Sequence, residues 1–499
     1  MTGGPRLCLL RRSSRFGCEG WISLVGALVL ALAACSYPTR NQELASLDPR
    51  QGYRWGALAP TELESTLLVV TASGGGTRAA AFTLSALSGL ADLALASGRS
   101  LADEIDVISS VSGGSVTAAY FALEGPGGFQ DLEDNFIRQD GISAILWRGL
   151  NPVELAALAT PSRERIDLLI DYLDESLFHG ATFDSLRQGG ERPLLILNAG
   201  DMVDGAPFAF TQNTFDLICS DLDRLALSVA VAASAAFPGA LSPVTLTNYA
   251  PCPAQQAVSW PVTWVNRAAA SRWYDNPSRV RRGRDAQNYA LGAAAATPAP
   301  RKYIHLLDGG IADNLGIAEP FRLLSSNEVS PNFFNQISRG QIDKVVLVLV
   351  NARSDKPSRL SGEIATPGAL DMVQATINAA IDNTTFGNFE RLETLLRERL
   401  DAAAAEFPEP LASNFRKVET YFLPVDFDAI ADDACRDAFQ SIATSWTLAK
   451  REVDALLIAG KALLKSAPKL NRLAADLGVA GIDRLPELEE ACAAIRASG

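Results

Sequence analysis

Short, unbroken runs of apolar and β-branched residues recur along the chain, each bounded by glycine, proline or polar residues. This pattern predicts strands that are buried inside a sheet. The predicted strands are 66–71, 105–109, 194–199, 303–307 and 344–350, with an edge strand at 207–211 beside 194–199 and a further strand at 418–427.

Stretches rich in alanine and leucine follow several of these runs and predict helices, for example at 77–96, 115–123 and 225–235. Because strand, short turn and helix repeat in this order, the sheet should be mostly parallel with helices packed on its faces. We therefore predict an α/β fold, a three-layer αβα arrangement around a mostly parallel central sheet, with helical insertions.

Composition divides the chain into regions. A targeting sequence is followed by a polar linker that contains several prolines, then by a main domain and a helical tail. The main domain carries one helical insertion and one long insertion rich in proline, tryptophan and arginine. In order, the predicted regions are 1–34, 35–60, 61–465 with insertions at 125–190 and 250–300, and 466–499.

The targeting sequence has a basic start, an apolar run from Trp21 to Leu32, and the ending Leu-Ala-Ala-Cys. The run is too short to span a bilayer comfortably and is typical of a secretory signal. Its ending resembles a bacterial lipobox, which predicts a lipoprotein anchored in the cell envelope through lipidated Cys35. Ser36 then favours the outer membrane of a Gram-negative cell. A plain signal peptide in which Cys35 has no role is the alternative.

The net charge of the chain is −13, and the first 34 residues contribute more basic than acidic groups. An acidic protein gains nothing from the phosphate backbone of a nucleic acid, so we exclude nucleic-acid partners. It gains nothing at long range from anionic lipid either, so membrane attachment is assigned to the lipid anchor.

Four cysteines remain after the first 35 residues: Cys219, Cys252, Cys435 and Cys492. An even number suits two disulfides in an oxidising compartment, but three pairings are open, and so is the alternative of free buried thiols. The chain has no Cys-x-x-Cys motif, so a zinc site is not expected.

Three glycine-containing turns each follow a predicted strand, where open α/β sheets bind ligands. The first is Ser-Gly-Gly-Gly-Thr-Arg at 73–78. Successive glycines before a helix can direct backbone N–H groups at an anion. The turn lacks the Gly-Lys-Ser/Thr of a P-loop, which leaves an oxyanion hole or a structural turn as its interpretation.

The second turn, Ser-Val-Ser-Gly-Gly-Ser at 110–115, has the form of a nucleophile elbow with Ser112 at its centre. Ser110 replaces the usual first glycine but is still small. Ser115 is the competing serine, and it could be an ordinary serine of a first helical turn with no chemical role. The third turn, Asp-Gly-Gly at 308–310, could place the Asp308 carboxylate beside the nucleophile, or simply cap a turn.

The histidines argue against a Ser-His-Asp triad. The whole chain has only two, His179 in the helical insertion and His305 within a predicted strand. Alternation along that strand places His305 on the face opposite to Leu306, so it is not expected to reach the serine. Asp308 is therefore the candidate base.

Together the three turns, in this order, resemble those of the patatin-like and cytosolic phospholipase A2 superfamily of lipid acyl hydrolases. The form Ser-Gly-Gly-Gly-x-Arg-Ala is similar to the cytosolic phospholipase side of that superfamily. Two further stretches also look familial, 198–210 and 233–243, and the resemblance covers about 66–350.

The resemblance implies a patatin-like catalytic domain at 61–465 that needs no metal or cofactor. It implies Ser112 as nucleophile and Asp308 as base, with Arg78 facing a phospholipid phosphate and Asn314 supporting the Asp308 loop. The amides that it implies for the oxyanion hole are those of Gly74, Gly75, Gly76 and Gly113. A surface arginine with no ligand is the alternative for Arg78.

The expected activity is hydrolysis of acyl esters of phospholipids or other lipids, of the phospholipase A or lysophospholipase type. Acyl transfer on the same Ser112–Asp308 pair is an alternative, and so is a non-catalytic lipid-binding lipoprotein. The insertion at 250–300 is expected to shape an acyl pocket or to touch the bilayer.

Overall fold

A computed structural model describes residues 37–48, 51–189, 192–252, 300–325, 333–354, 392–405 and 407–496, with a few single positions between them. Its strands are β1 Gln42–Glu43, β2 Thr66–Ala72, β3 Val107–Val111, β4 Leu194–Asp201, β5 Pro207–Phe210, β6 Ser220–Asp221, β7 Val244–Thr247, β8 Tyr303–Asp308, β9 Lys344–Asn351 and β10 Glu419–Asp426. β1 and β6 form a small separate ladder, and the other strands form one eight-stranded sheet.

The central sheet follows the order β10-β9-β2-β3-β4-β8-β7, and β5 pairs with β4. From β10 to β4 all neighbours are parallel. Their continuous apolar runs explain this, because parallel strands are covered on both faces. The predicted α/β fold with a mostly parallel central sheet is confirmed.

β8 departs from the expected arrangement, because it runs antiparallel to β4. β5 occupies one side of β4 along Leu197–Gly200, so β3 and β8 must both lie on the other side. There they meet end to end, with Val111 opposite Asn198 and Asp308 opposite the next residue of β4. The turn that carries Asp308 therefore reaches the end of β3 from the opposite direction, and not as a parallel neighbour.

The helices match the predicted positions to within a few residues, and the insertion at 125–190 is helical as expected. They are α1 Gly76–Ala91, α2 Ser112–Glu124, α3 Phe129–Leu132, α4 Gly141–Gly149, α5 Pro152–Leu158, α6 Arg165–Leu173, α7 Phe183–Gly189, α8 Gln212–Phe215, α9 Leu227–Ser234, α10 Gly310–Asp313, α11 Ala318–Ser325, α12 Phe333–Ser338, α13 Leu392–Ala404, α14 Leu411–Lys417, α15 Asp433–Gln440, α16 Lys450–Lys465, α17 Leu470–Leu477 and α18 Leu488–Arg496.

Small residues let the C-terminal helices pack closely on the sheet layer. α1 lies against α16, and a Cβ on Gly460 would come within 2.7 Å of the Phe82 carbonyl oxygen. α18 in turn packs on α16, and its Cys492 forms a disulfide with Cys435, with Cα atoms 5.4 Å apart. The region 466–496 is thus joined to the main core.

The described part of the predicted linker is packed against the domain. Tyr53 and Trp55 are buried in the core, and β1 pairs with β6. Aromatic side chains of this kind gain too much from burial to remain in a free linker. The targeting sequence and Cys35 lie outside the described residues, as does most of the insertion at 250–300.

The remaining two cysteines form the other disulfide, Cys219–Cys252, with Cα atoms 5.3 Å apart. The pairing that the sequence left open is therefore between neighbours along the chain. Among the residues that the structure describes, no helix combines the length and apolar character needed to cross a membrane.

Candidate active site

Ser112 stands where β3 ends and α2 begins, and its backbone φ is 49°. A residue with a side chain avoids this left-handed region unless its surroundings hold it there. Ser110, which takes the place of the usual glycine, is buried in β3 and donates its hydroxyl to Ser115 at 3.1 Å. The tight turn of a nucleophile elbow is therefore formed with serine at position 110.

The glycine turn after β2 packs directly on this elbow. A Cβ on Gly113 would lie only 2.0 Å from the carbonyl oxygen of Gly76, so the two backbones approach as closely as glycine alone allows. α1 begins at Gly76 and α2 at Ser112. Two helix N-termini thus lie side by side, and their dipoles favour negative charge at this point.

Asp308 ends β8 beside the elbow. Its carboxylate accepts the N–H of Gly310 at 2.8 Å, and the Ser112 side chain lies close enough to act as a donor that lowers the pKa of this carboxyl. Gly309 makes the approach possible, because a Cβ there would lie 2.2 Å from the carbonyl oxygen of Asn198. The structure therefore brings together the two residues that the sequence proposed as nucleophile and base.

Burial sets the acidity of Asp308. The residue is 5% exposed, and removal from water raises the pKa of its carboxyl to about 6. The hydrogen bonds from Gly310 and Ser112 act in the opposite direction, because they stabilise the charged form. Asp308 is thus a stronger base than an ordinary aspartate and is still mostly ionised at neutral pH.

Asn314 joins the Asp308 loop to the glycine turn. The N–H of Gly74 is directed at the Asn314 side-chain oxygen, at 3.2 Å, and at its carbonyl oxygen, at 3.3 Å. The Gly74 N–H therefore already has hydrogen-bond acceptors within the protein. The sequence had predicted it as a donor to the oxyanion. Asn314 accordingly supports the turn 74–76, and its expected support of the Asp308 loop stays a prediction.

Arg78 lies inside the protein. It is 2% exposed, and its guanidinium donates to the carbonyl oxygens of Ala352, at 2.8 Å, and Ile442, at 2.6 Å. These bonds tie α1 to the end of β9 and to the segment before α16. Arg78 thus has a structural role here, and its expected contact with a lipid phosphate stays a prediction.

A buried polar network beneath the elbow was not predicted. Ser234, the last residue of α9, accepts a hydrogen bond from the Ser112 N–H at 2.8 Å and donates to the Asn198 carbonyl oxygen at 2.6 Å. Its oxygen lies 3.0 Å from that of Ser115. The stretches around 198 and 234 had looked familial, but a serine in an alanine-rich helix carries no signal of such a role.

Neither histidine takes part in the site. His305 has its Nδ1 2.9 Å from the Thr245 hydroxyl, and its side chain leaves β8 on the face opposite to Asp308. His179 is exposed at the end of a helical turn in the 125–190 insertion. Since the chain has no third histidine, Asp308 has no imidazole competitor as the base.

No group of three or more His, Cys, Asp or Glu side chains that could hold an ion is found within the described ranges. The groups that surround Ser112 are one carboxylate, hydroxyls and backbone amides, a set suited to nucleophilic chemistry on an acyl group.

No curated protein matches the chain. Two solved structures of human GIVD cytosolic phospholipase A2 are similar to it, one of them in complex with methyl gamma-linolenyl fluorophosphonate. Their sequence identities are 11% and 12%, their TM-scores 0.39 and 0.40, and they align with 84% and 87% of this chain. The alignments cover 60% of each of those chains, so this chain spans about three fifths of their length.

A model of a known family matches residues 70–321, just over half of the chain. The matched region contains the end of β2 with the glycine turn, the elbow at Ser112 and the Asp308 turn, which are the elements that the structure assembles. The chain belongs to the patatin-like phospholipase family.

Proposed function

We propose that this protein is a serine-dependent hydrolase that cleaves acyl esters of lipids with the pair Ser112 and Asp308. The observation that carries the proposal is the placement of the Ser112 side chain beside the buried carboxylate of Asp308, near enough to lower the pKa of that carboxyl. A serine hydroxyl is a weak nucleophile unless an adjacent base takes its proton. The raised pKa of Asp308 makes it such a base near neutral pH.

In the proposed reaction Asp308 accepts the hydroxyl proton as the Ser112 oxygen attacks the ester carbonyl. The negative charge that develops on the carbonyl oxygen lies at the N-termini of α1 and α2. We assign its hydrogen-bond donors to the amides of Gly75, Gly76 and Gly113. The Gly74 amide keeps its partner in Asn314 and holds the turn in place.

Collapse of the tetrahedral intermediate transfers the Asp308 proton to the leaving alcohol and leaves an acyl group on Ser112. Asp308, ionised again, then removes a proton from water, which attacks the acyl group and releases a fatty acid. One carboxylate serves as base and acid in alternation, as the reversal of the first step requires. Membership of the patatin-like phospholipase family supports a lipid ester as substrate.

Reaction with a fluorophosphonate tests the nucleophile, because this reagent phosphonylates an activated serine. We expect the wild-type chain to carry one label on the peptide that contains Ser112, and Ser112→Ala to carry none. Ser85→Ala is the matched control, since Ser85 is also buried but bonds the Leu457 carbonyl oxygen in α16. Equal labelling of Ser112→Ala and wild type would reject the nucleophile.

Release of fatty acid from phosphatidylcholine and from lysophosphatidylcholine then tests the substrate class. Asp308→Asn should lose hydrolysis of both lipids by about a thousandfold, in the range of general-base effects. A labelled wild-type protein that releases no fatty acid from either lipid would reject lipid ester hydrolysis while leaving the nucleophile intact.

We also propose that the protein is exported and attached to the bacterial cell envelope, at the outer membrane in a Gram-negative cell, through a lipid on Cys35. The two disulfides support export, because such bonds persist in oxidising compartments. Radiolabelled palmitate should enter the wild-type protein in cells but not Cys35→Ala. Equal incorporation into both proteins would reject the anchor.

A further inference from the structure

The helical insertion exposes an unusual amount of apolar surface. Six large apolar side chains of α4, α5 and the turn between them are between 41% and 75% exposed: Ile142, Leu146, Trp147, Leu150, Val153 and Leu155. They make up more than half of the large apolar side chains exposed in the described part of the chain. Exposed apolar side chains concentrated in one short stretch of the chain indicate a contact that the isolated chain leaves unmade.

The first helix of the pair, α4, is held to the rest of the fold despite this exposure. Ile145 packs inward against the core, and the N-cap residue of α4, Asp140, accepts hydrogen bonds from Ser143 and Thr447. The face of α4 opposite to Ile145 therefore points outward from an ordered helix. Its apolar side chains are exposed in the folded protein.

The charged side chains beside this face are paired with one another. Arg148 donates to Glu175 at 2.8 Å, and Arg163 bonds Glu154 at 3.0 Å and also Asp171. The face thus combines apolar groups with ion pairs in which three carboxylates meet two guanidiniums, a small negative excess. An uncharged lipid surface fits it better than a charged protein or an anionic polymer.

The N-terminal segment leaves the fold beside the same helices. Arg40 donates to Asp167 at 2.8 Å and to Glu164 at 3.3 Å, at the start of α6, shortly after α5 ends. Arg40 is five positions after Cys35, which limits the distance between them to roughly 18 Å even in a fully extended chain. A lipid on Cys35 would therefore hold this side of the protein at the membrane.

A short segment before α16 connects the helix pair to the active site. Thr447 bonds both Asp140 and the N–H of Ile142, the latter at 3.2 Å. Two residues earlier, the Ser445 carbonyl oxygen accepts the N–H of Thr77 at 2.8 Å, at the start of α1. The exposed helices and the glycine turn are thus in contact with one continuous stretch of six residues, 442–447.

We propose that the apolar face of α4 and α5 docks on the surface of a lipid bilayer of zwitterionic composition. Trp147 lies at the level of the head groups, because its ring has an apolar body and a polar N–H that needs a hydrogen-bond acceptor. The leucines enter the acyl region. Docking itself needs no catalysis. The delivery of bilayer lipid to Ser112 rests on the proposed function.

Fluorescence quenching tests the docking independently of turnover. The acylated full chain, carrying Ser112→Ala, is reconstituted in phosphatidylcholine vesicles whose acyl chains bear bromine, a quencher of tryptophan. We expect clear quenching that is largely lost when Trp147→Phe is added, since Trp147 is the tryptophan placed in the bilayer. Equal quenching with and without Trp147→Phe would overturn the proposal, whether or not the enzyme is active.

Hydrolysis gives the second test, in the chain with Ser112 intact. Leu146→Asp and Val153→Asp should each lower hydrolysis of vesicle phosphatidylcholine about tenfold. A carboxylate is unfavourable in the acyl region of the bilayer and therefore weakens docking. Hydrolysis of a soluble short-chain ester should not change. Val203→Asp is the matched control, since Val203 is 65% exposed but lies outside the helix pair.

Three results would contradict the docking surface. One is an equal loss on vesicles for Val203→Asp, and another is full vesicle activity in Leu146→Asp. The third is a dimer that Leu146→Asp converts to a monomer in analytical ultracentrifugation, since the occupant of the face would then be a second copy of the chain. If neither vesicle lipid nor soluble ester is hydrolysed while the quenching persists, the docking stands and the proposed hydrolase fails.

Discussion

The backbone N–H of Ser112 donates a hydrogen bond to the hydroxyl of Ser234, 2.8 Å away, on a helix that is 122 residues later in the chain. The Ser234 hydroxyl in turn donates a hydrogen bond to the Asn198 carbonyl oxygen on β4. Elbow, helix α9 and sheet are therefore connected by one side chain. This arrangement holds Ser112 at a positive φ that its own conformational preference opposes.

Ser234→Ala should lower kcat about tenfold with little change in KM. The substitution leaves the buried Ser112 N–H without its acceptor, which costs about 1–3 kcal/mol of stability and loosens the elbow. Steady-state kinetics and urea unfolding would measure both effects. Ser85→Ala should lose comparable stability with kcat unchanged, because its bond joins α1 to α16. An equal fall in kcat for both variants would contradict a positioning role for Ser234.

The rate of fluorophosphonate reaction should rise with pH and level off above a midpoint of about 6. Below this pH the Asp308 carboxyl is protonated and cannot accept the Ser112 proton, since burial raises its pKa to about 6. The measurement is the second-order inactivation rate constant between pH 4.5 and pH 8. Asp308→Asn provides the control, with a slow rate that does not change across this range. A wild-type rate that is constant over the range would reject Asp308 as the base.

Asp308→Asn should also be more stable than wild type at pH 8, with the difference disappearing near pH 4. The folded-state pKa of Asp308 lies at about 6, above its ordinary value of 3.8, so ionisation is easier in the unfolded chain. The stability that the protonated Asp308 carboxyl contributes is therefore fully present below pH 4 and is lost as the pH rises through 6. The neutral amide avoids this loss, which is at most about 3 kcal/mol because one pKa unit corresponds to about 1.4 kcal/mol.

Urea unfolding of both proteins at several pH values would measure the difference, and the other titrating groups cancel because the two chains share them. Greater stability combined with lost activity is the expected mark of a residue kept for function. A variant that is less stable than wild type at pH 8 would show that the hydrogen bonds from Ser112 and Gly310 outweigh the cost of burying the charge.

Most of the strands could be predicted from sequence because burial on both faces leaves a continuous apolar run. Lys344–Asn351 is the clearest case, and the structure reproduces it as β9. β8 was predicted as a strand but with the wrong direction. Its residues alternate between exposed and buried, which is typical of an antiparallel strand and was the signal for the correct arrangement.

The active-site pair could be proposed from the sequence, but its geometry could not. Asp308 reaches Ser112 because β8 ends where β3 ends, a consequence of register along β4 that no local pattern encodes. Ser234 and Asn314 escaped a full assignment for a related reason. Their partners are 122 and 240 residues away, so their roles exist only in the folded chain.

Gly113→Ala and Gly127→Ala should behave in opposite ways although both lie near the ends of α2. A Cβ at position 113 would lie 2.0 Å from the Gly76 carbonyl oxygen, and that backbone cannot retreat because α1 begins there. We expect Gly113→Ala to lose fluorophosphonate labelling by more than about a hundredfold and to lose roughly 2–4 kcal/mol of stability, as overpacking of a closed site does.

A Cβ at position 127 meets nothing within 4 Å. Gly127→Ala should therefore label at the wild-type rate and gain up to about 1 kcal/mol, because alanine restricts the unfolded chain.

The comparison separates the general cost of replacing a glycine from the specific contact between the elbow and the glycine turn. Near-UV circular dichroism of Gly113→Ala establishes whether the variant still folds, and a folded but unlabelled protein is the strongest result. If Gly113→Ala labels as fast as Gly127→Ala, the two turns are not in contact in solution. The amides of Gly76 and Gly113 would then lie too far apart to bind one oxyanion, and the assignment of the oxyanion hole would fail with them.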